Sequence, residues 1–391
     1  MDHWPGLDDA QRLAWLRLIR TRGIGPAVFQ DLVNLFGGAQ NALENLTEFT
    51  AKRGRSLRPM SVENAQEELA AAERAHLHFV ALGEPSYPRL LAMSDRPPPL
   101  LCMRGNKSEV AQRDGVAIVG SRNASAAGMR FSELLAQHLA DQELTVVSGL
   151  ARGIDTAAHN GALKAGTIAF LAGGLPDIYP PQNEALAARI VDEGGALYSE
   201  MPLGWKARAQ DFPRRNRLVA GAALGLVVVE AGNRSGTLIT AQKALDMGRT
   251  LMAVPGFPLD PRSAGTNSLL KEGATLVRSA DDVMEELAPQ LERGRSAETR
   301  SSTPNNLKPV DQRGLDEDHS PRYDEIDAQT DHKLTQALSQ TPVSADILSS
   351  TTGVALPLVR FWLLEMELAG RVMRGAGDLF SWSDPAQLQG P

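Results

Sequence analysis

Cysteine is nearly absent from this sequence: Cys102 is the one thiol in 391 residues. A single cysteine cannot close an internal disulfide, and it leaves no cysteine cluster for a zinc ion. Histidine offers no substitute, because only His159 of the seven histidines lies near the end of a predicted strand. The sequence therefore predicts neither a disulfide framework nor a bound metal.

Long hydrophobic runs are also missing. No apolar stretch approaches the roughly 18–20 residues that cross a bilayer, and no basic-then-apolar segment of the secretory type stands near the N-terminus. The apolar content of 42% is normal for a chain that buries a sizeable core. We expect a cytoplasmic protein with no membrane span.

The motifs of common NAD and ATP sites are absent as well. Dinucleotide binding needs Gly-x-Gly-x-x-Gly after the first strand and an acid at the end of the second. This chain reads GSRNASAAG at the first position, and its second strand ends in Ser-Gly. The P-loop pattern Gly-x4-Gly-Lys-Ser/Thr does not occur either. No cofactor is therefore expected.

The formal net charge of −7 is unevenly distributed along the chain. Residues 115–280 carry 16 Lys and Arg against 14 Asp and Glu, whereas the rest carries 24 against 33. The middle of the chain is thus mildly basic between acidic flanks, a distribution that suits an anion-binding surface.

Residues 1–75 are predicted to form a helical domain. Apolar residues recur at spacings of three and four, and Gly23-Ile24-Gly25-Pro26 interrupts them. This is the helix-hairpin-helix pattern, which can present backbone amides to a DNA phosphate. A small SAM-like packing module is the alternative.

Residues 76–288 alternate short β-rich runs with helical segments. The β-rich runs are GVAIVGS, LTVVSG, TIAFLAGG, GALYSE, LGLVVVE, RTLMAVPG and ATLVRS. They are apolar without strict alternation, so the strands should be buried on both faces. The predicted fold class is α/β: a doubly wound, mostly parallel, Rossmann-like sheet, preceded by a short strand and a Pro-rich connection.

Residues 289–330 are predicted to be a flexible linker, because their charges, Ser, Pro and Asn cannot bury enough apolar surface to fold. Residues 331–384 then show three helical patterns and a hairpin that turns at Gly375-Ala376-Gly377, which indicates a winged helix. Residues 385–391 form a short tail.

The third helix of this winged helix, predicted over 356–369, is unusual for a DNA-recognition helix. It carries Glu365 and Glu367 beside Arg360. Recognition helices normally present donors to phosphates and bases. The composition favours a protein-contact helix or a packing helix.

The segments that follow the predicted strands are rich in glycine, hydroxyl side chains and arginine. In an open parallel sheet, ligands bind beyond the carboxyl ends of the strands. Glycine lets the backbone approach a ligand, and helix N-termini add free amides, so these segments predict a phosphate-binding site. The residues concerned are Gly120, Ser121, Arg122, Ser148, Gly149, Arg152, Gly153, Gly173, Gly174, Ser235, Gly236 and Thr237.

The stretch FPRRNRLVAG adds Arg214, Arg215, Asn216 and Arg217 between the fourth and fifth strands. We predict that it begins a helix whose first turn faces the same sheet edge. Arg214 and Arg217 are three apart and share a helix face, whereas Arg215 lies about 100° from Arg214. One face is expected to bind DNA phosphate, and at least one arginine to hold Glu200 or Glu230.

Acid–base candidates are few. Asp155 and His159 lie four apart on a predicted helix, and they are a local pair, a helix-start charge or a catalytic dyad. Glu230 closes the fifth strand, where it either polarises a sugar hydroxyl or holds Arg217 or Arg234 in place. No catalytic residue is assigned.

Taken together, the motifs of the central region resemble the DNA-processing protein A (DprA, also called Smf) family. In order they are VAIVGSR, VSGLARGIDTAAHNGAL, GTIAFLAGG, YPPQN, SEMPLG, FPRRNRLVAG, VVVEAGNRSGTLITAQKALDMGR and AVPG. The order of helical, Rossmann-like and winged-helix domains also fits this family. One departure is Pro181-Gln182, where some members carry a lysine after the Tyr-Pro pair.

The resemblance implies a protein without catalytic residues that binds single-stranded DNA as a homodimer in natural transformation. Such a protein protects incoming strands and helps load the RecA recombinase onto them. The resemblance also implies that Arg122 lines the DNA pocket. It marks signature positions at Arg215, Asn216, Arg217, Ser235 and Gly236.

Two other functions stay open. Glu230 with Ser235-Gly236-Thr237 is similar to the site of phosphoribohydrolases that act on nucleoside monophosphates, but the paired glycines and following acid of their motif are missing. A scaffold that works through its end domains is the third hypothesis.

Overall fold

The computed structural model describes residues 6–52, 56–105, 108–300 and 326–383. Internal contacts divide the chain into two compact units. The first contains residues 67–300, and the second contains residues 7–66 together with 326–383, in each case within the described ranges.

A sheet of nine strands, counted over the described residues, forms the first unit. The strands are β1 (His78–Ala81), β2 (Leu100–Arg104), β3 (Gly115–Val119), β4 (Thr145–Ser148), β5 (Thr167–Phe170), β6 (Ala196–Ser199), β7 (Gly225–Val228), β8 (Thr250–Ala253) and β9 (Thr275–Leu276). Their order is β1-β2-β6-β5-β4-β3-β7-β8-β9. Strands β3 to β9 pair in parallel, whereas β1 and β2 form an antiparallel edge. The predicted doubly wound, mostly parallel sheet is confirmed.

The helices are numbered along the whole chain. They are α1 (Asp9–Arg20), α2 (Pro26–Phe36), α3 (Ala39–Ala51), α4 (Val62–Arg74), α5 (Arg89–Ala92), α6 (Ser108–Gln112), α7 (Ala126–Asp141), α8 (Ile154–Ala162), α9 (Glu184–Asp192), α10 (Asp211–Gly221), α11 (Gly236–Asp246), α12 (Ala264–Lys271), α13 (Ala280–Arg300), α14 (Ala328–Ala337), α15 (Ala345–Thr352) and α16 (Leu356–Leu368). The prediction that FPRRNRLVAG forms a helix is confirmed by α10.

The central strands are buried on both faces. Every residue of β3, β4, β5, β6 and β7 is buried. Along β3, Ala117 and Val119 belong to one core, while Val116 and Ile118 belong to the core on the opposite face. Because successive side chains of a strand point to opposite faces, helices must cover both sides, and an apolar run without alternation results.

The strand order reverses at β3. From β3 the chain adds β4, β5 and β6 on one side, and it then crosses to β7 on the other side. A crevice therefore opens beyond the carboxyl ends of β3 and β7, at the position where doubly wound sheets bind ligands.

Helix α13 is longer than predicted. The sequence analysis assigns residues from 289 onward to the flexible linker because of their polar composition, but the helix continues to Arg300. Proline removes one backbone hydrogen bond, and the buried side chain of Leu291 packs into the core beyond it. Residues 301–325 of the predicted linker and residues 384–391, which include the predicted tail, lie outside the described residues.

The second unit combines the N-terminal helices with a winged helix. Helices α14, α15 and α16 are joined by the strands β10 (Val343–Ser344), β11 (Val372–Arg374) and β12 (Leu379–Trp382), ordered β10-β12-β11. The winged helix has its own core around the buried rings of Trp362 and Phe380. This confirms the fold predicted for residues 331–384.

Helix α16 packs against α2 and α3 inside this unit. The rings of Phe49 and Phe361 meet edge to face with centroids 5.6 Å apart, and Arg374 donates to Asp31 Oδ2 over 2.6 Å. Of the predicted alternatives, a protein-contact or a packing helix, the structure shows packing within the chain.

Within the described part of the chain, no helix combines the length and apolar character needed to span a bilayer. Over the same ranges, no cluster of three or more His, Cys, Asp or Glu side chains is placed to hold a metal ion.

Candidate functional site

A cavity of about 510 Å³ lies at the switch point of the sheet. Its walls include the turn after β3, with Gly120, Ser121 and Arg122, and the first turn of α11. A second cavity of about 250 Å³ adjoins it and continues towards the loop after β5. The two cavities share five residues and therefore form one trough: Arg122, Gly149, Ala151, Phe212 and Arg215.

Arg122 and two aromatic rings form the middle of this trough. The Arg122 guanidinium lies 4.8 Å from the centroid of the Phe212 ring, and Tyr179 meets Phe212 with centroids 5.8 Å apart. Arg122 and Tyr179 are exposed. The sequence analysis did not select either ring, although Phe212 directly precedes the arginine cluster and Tyr179 stands in YPPQN.

The N-terminus of α11 closes the large cavity on the β7 side. The Ser235 hydroxyl accepts from the Thr237 amide over 3.2 Å, and the Thr237 hydroxyl donates to the Gly120 carbonyl over 3.1 Å. Among the described residues, no atom lies within 4 Å of the position that a Cβ would take at Gly236. The space around this position is open, so the helix terminus is accessible to a ligand here.

The turn between β4 and α8 is filled by a side chain of the protein itself. Oδ2 of Asp155 accepts from the amides of Gly149 and Ala151, over 3.1 and 3.3 Å. Leu150 has a φ of 56° and Gly153 a φ of 75°, so the turn is tightly wound. The carboxylate thus occupies amides that the sequence assigned to a ligand phosphate.

Arg215 lies beneath the trough and is 6% exposed. Its Nη1 donates to the carbonyls of Gly149 and Phe170, which joins the ends of β4 and β5. Burial lowers the pKa of Arg215 to about 10, and the charge of Asp155 acts in the opposite direction. Burial raises the pKa of Asp155, and Arg215 opposes that shift. Asn216, which lines the large cavity, accepts from Arg215 Nε over 3.2 Å.

Arg214 and Arg217 share a different partner. Arg217 donates to Glu200 Oε2, and Arg214 Nε lies 3.6 Å from Glu200 Oε1. The prediction that at least one arginine of this cluster holds Glu200 or Glu230 is confirmed. The helix face shared by Arg214 and Arg217 supports the fold around Glu200, while Arg215 and Asn216 lie at the cavity.

Ser148, Gly173 and Gly174 are buried behind the trough. The Ser148 hydroxyl donates to the Ile118 carbonyl over 2.6 Å. A Cβ at Gly174 would overlap the carbonyl of Pro202, so this glycine lets the loop after β6 pack closely. These three positions shape the strand ends without lining either cavity.

The remaining two predicted residues stand at the turn after β4. Arg152 is exposed and lines the smaller cavity. A Cβ at Gly153 would overlap the Ser121 carbonyl, so Gly153 lets the turn after β4 pack against the turn after β3.

Glu230 has a role that the sequence analysis did not predict. Its carboxylate accepts from the amide of Ser125 over 2.9 Å and from the Ser125 hydroxyl over 2.5 Å, at the N-terminus of α7. The prediction that it holds Arg217 is wrong, because Arg217 is paired with Glu200. Glu230 itself has a φ of 142°, a strained value for a residue with a side chain.

Of the interpretations of Asp155 and His159, the structure supports the helix-start charge: Asp155 lies in the first turn of α8 and does not pair with His159. His159 is fully buried, with Nδ1 3.0 Å from the Thr167 hydroxyl. Because that hydroxyl donates to the Val146 carbonyl, Nδ1 must be the donor to it. Burial lowers the pKa of His159 to about 3, so the imidazole is neutral. The two side chains have separate partners, which excludes a dyad in this arrangement.

Comparison with protein families gives three matches along the chain. Residues 78–288 match the family described as DNA recombination-mediator protein A. Residues 9–71 match a DprA-like N-terminal HHH domain, and residues 319–378 match a DprA winged helix domain. The first match alone covers more than half of the 391 residues.

Individual relatives agree with these matches. Protein Smf of Escherichia coli is 36% identical over 328 residues, which cover 83% of this chain and 82% of that protein. DNA processing protein DprA of Streptococcus pneumoniae is 44% identical over 191 residues, or 48% of this chain and 67% of that protein. The X-ray structure of DprA from Streptococcus pneumoniae superposes with a TM-score of 0.58 at 31% identity, covering 72% of this chain and 98% of that one.

Proposed function

Because the chain belongs to the DNA-processing protein A (DprA/Smf) family of DNA recombination mediators, we propose that it binds single-stranded DNA along the trough at the carboxyl edge of its sheet. The observation that carries this proposal is the meeting of Arg122, Phe212 and the α11 N-terminus in one continuous trough. Cation, aromatic ring and free helix terminus together suit a flexible polyanion that carries bases.

Phosphates bind where the trough supplies charge and donors. Arg122 is exposed and provides a permanent positive charge, and Ser121 lies beside it in the same turn. Across the cavity, Gly236 leaves the N-terminus of α11 open to an anion. In the β4–α8 turn, Asp155 occupies the amides of Gly149 and Ala151, so this turn offers a phosphate the exposed side chain of Arg152 instead.

Bases stack on the aromatic rings of the trough. Phe212 is held between the Arg122 guanidinium and the Tyr179 ring, so its orientation is fixed before DNA arrives. Stacking requires unpaired bases, which favours single-stranded over double-stranded DNA. Every base presents a π-face, so the protein binds with little sequence preference.

The protein acts by binding and release, without chemistry on the DNA. The acid–base candidates at the strand ends are engaged elsewhere: Glu230 with Ser125, and Asp155 with backbone amides. His159 is buried and neutral. A phosphoribohydrolase, the alternative suggested by Glu230, is not favoured by these contacts or by family membership.

Family membership extends the proposal to partners. We propose that the protein acts as a homodimer in natural transformation, protects incoming strands and helps load the RecA recombinase. Analytical ultracentrifugation tests the dimer. Strand exchange by RecA on DNA coated with a single-strand-binding protein, with and without this protein, tests the loading role.

Salt-dependent binding to oligothymidine tests the DNA site. The logarithm of the association constant should fall with the logarithm of salt concentration by about 0.7 per neutralised phosphate. Arg122→Ala should weaken binding and make this slope shallower, because one phosphate contact is lost. Lys164→Ala is the matched control, since Lys164 is exposed ahead of β5, at the opposite edge. Unchanged affinity and slope in Arg122→Ala would contradict the proposed site.

A further inference from the structure

Among the described residues, Tyr179 and Phe257 are the two aromatic rings classed as exposed, at 51% and 68%. Both stand at the carboxyl edge of the sheet. Tyr179 follows β5 and lines the smaller cavity, whereas Phe257 follows β8 on the far side of the large cavity. A single exposed ring needs no explanation in itself, so the surroundings of Phe257 decide what it does.

The backbone around Phe257 is firmly held. The Gly256 amide donates to Asn267 Oδ1 over 3.2 Å, and Asn267 Nδ2 donates back to the Gly256 carbonyl over 3.0 Å. The Asp260 amide donates to the Phe257 carbonyl over 2.9 Å. The fold therefore fixes this ring in solvent instead of leaving a loose loop that could bury it.

The Phe257 loop adjoins the wall of the large cavity. The Gly265 amide donates to the Ala231 carbonyl over 2.7 Å, and the Pro261 carbonyl lies 3.4 Å from the position of a Cβ on Gly232. The same segment leads into Arg234, which is exposed, and then into Ser235 of the cavity. A strand of DNA that leaves the cavity past α11 reaches this loop next.

We propose that Phe257 is a second base-stacking platform, outside the cavity, for single-stranded DNA; this inference rests on the proposed function. The strand would cross the ends of β5, β4, β3, β7 and β8 in turn, from Tyr179 to Phe257. Four strand spacings of about 4.8 Å make this path about 19 Å wide. Arg234 supplies charge for a phosphate between the cavity and the ring.

A nucleotide fits this position better than an apolar protein face does. The loop that carries the ring adjoins the segment of the exposed Arg234, which leads into the trough, whereas Arg262 of the same loop is already paired with Asp260 over 2.8 Å. One aromatic ring is enough to stack a base, and a neighbouring cation binds the phosphate of the same strand. Leu259, 82% exposed on the same loop, makes a second copy of the chain the competing occupant, which the experiment distinguishes.

Binding to a short oligothymidine that fills only the cavity, and to one several times longer, tests this platform. Phe257→Ala should bind the long oligonucleotide at least about fivefold more weakly, the lower limit for loss of one stacked base, and the short one as the parent protein does. Phe257→Trp should restore tight binding. Leu245→Ala, which removes an exposed apolar side chain from α11, is the control.

Photocrosslinking with bromodeoxyuridine in the long oligonucleotide gives a direct readout, with the crosslink expected at residue 257. If the parent protein does not bind either oligonucleotide, both the proposed function and this inference are wrong. If Arg122→Ala weakens binding while Phe257→Ala equals the parent, this inference alone is wrong. Loss of self-association in Phe257→Ala, without a crosslink, assigns the ring to a contact between copies and overturns it.

Discussion

Adjacent arginines of α10 perform different tasks. Arg215 is buried and joins two strand ends, whereas Arg214 and Arg217 contact Glu200. The side chain of Arg214 is 59% exposed and that of Arg217 is 21% exposed. The presence of a charged side chain under a binding site is therefore not evidence that this side chain contacts the ligand.

Replacing Arg215 should destabilise the fold. Arg215→Met leaves the buried Asp155 without its opposite charge and removes the donor to the Gly149 and Phe170 carbonyls. A hydrogen bond from a charged donor contributes about 1.5–3 kcal/mol, so the two lost bonds should cost about 3–6 kcal/mol together. Urea denaturation should show that Arg215→Met loses this much free energy of unfolding. The control Arg214→Ala should differ from the parent protein by no more than about 0.5 kcal/mol. An Arg215→Met protein of parental stability that fails to bind DNA would instead make Arg215 a ligand contact.

The buried imidazole of His159 should make the protein sensitive to acid. The folded pKa of about 3 lies below the ordinary value of 6.5, so between these values only the unfolded state binds the proton. Stability is then complete above pH 6.5 and falls as the pH drops, by about 2 kcal/mol at pH 5. The free energy of unfolding at pH 7.5 and pH 5 measures this loss.

The variant His159→Gln should remove most of that dependence, because glutamine cannot take up the proton. His138→Gln, at an exposed position of α7, is the control. The explanation fails if His159→Gln loses as much stability between the two pH values as the parent protein.

The sequence predicted only some of these side-chain contacts. That Arg214 and Arg217 share a face followed from their spacing of three. The burial of Arg215 did not, because its partners belong to β4 and β5, which the fold brings to α10 from 66 and 45 residues away. The bonds from the Gly149 and Ala151 amides to Asp155 were not predicted either, because they depend on a turn whose winding the sequence does not display.

The N-terminus of α11 is the element that most directly exposes backbone to a ligand. Ser235 caps it, and Thr237 ties it to the turn after β3. Gly236 adds no contact to the fold. We therefore expect the lack of a side chain at Gly236 to matter for ligand binding and not for packing.

Gly236→Ala should separate binding from stability. Since the space around its Cβ is empty and alanine favours helix, the free energy of unfolding should stay the same or rise by up to about 1 kcal/mol. Affinity for oligothymidine should nevertheless fall, because the methyl group stands where a phosphate approaches. Denaturation and binding are measured on the same preparation. Unchanged affinity would show that DNA does not approach this helix terminus.

Helices and strands were easier to predict than individual side-chain contacts. Apolar runs such as LGLVVVE are unambiguous because both faces of β7 are buried, and the helix boundaries follow the turns between them. The start of the predicted linker was misplaced because the sequence after residue 288 is mostly polar, whereas α13 continues to Arg300 and buries Leu291 in the core. Tertiary packing decides such cases.

At the scale of the whole molecule, the second unit joins both ends of the described chain. Arg374 of the wing is 8% exposed and contacts Asp31 of α2, Glu367 and Asp378. This contact and the Phe49 ring of α3 keep α16 packed against α2 and α3. While it is packed there, α16 cannot enter a DNA major groove.

The ion pair between Asp31 and Arg374 should couple the two halves of this unit. A double-mutant cycle with Asp31→Asn and Arg374→Gln should give an interaction free energy of about 1–3 kcal/mol, because the pair is partly buried and hydrogen-bonded. Denaturation of the four proteins measures it. Additive effects would mean that the contact does not hold the halves together.

Sequence reasoning predicted each half of this unit but not their union. Asp31 and Arg374 are 343 residues apart, and neither charge has a local pattern that names its partner. The acidic character of α16 gave the one useful signal, since Glu365 and Glu367 argued against DNA and for protein.

Residues 67–300 are an insertion into a single folded unit, because the chain on both sides of them folds together. Trimming either end therefore cuts that unit in half instead of removing an independent tail. Loss of the winged helix takes away Arg374, the partner of Asp31, and Phe361, the ring that contacts Phe49. A loss of function in a shortened protein would therefore reflect a damaged fold, and single substitutions at the sheet edge test the proposed DNA binding more cleanly.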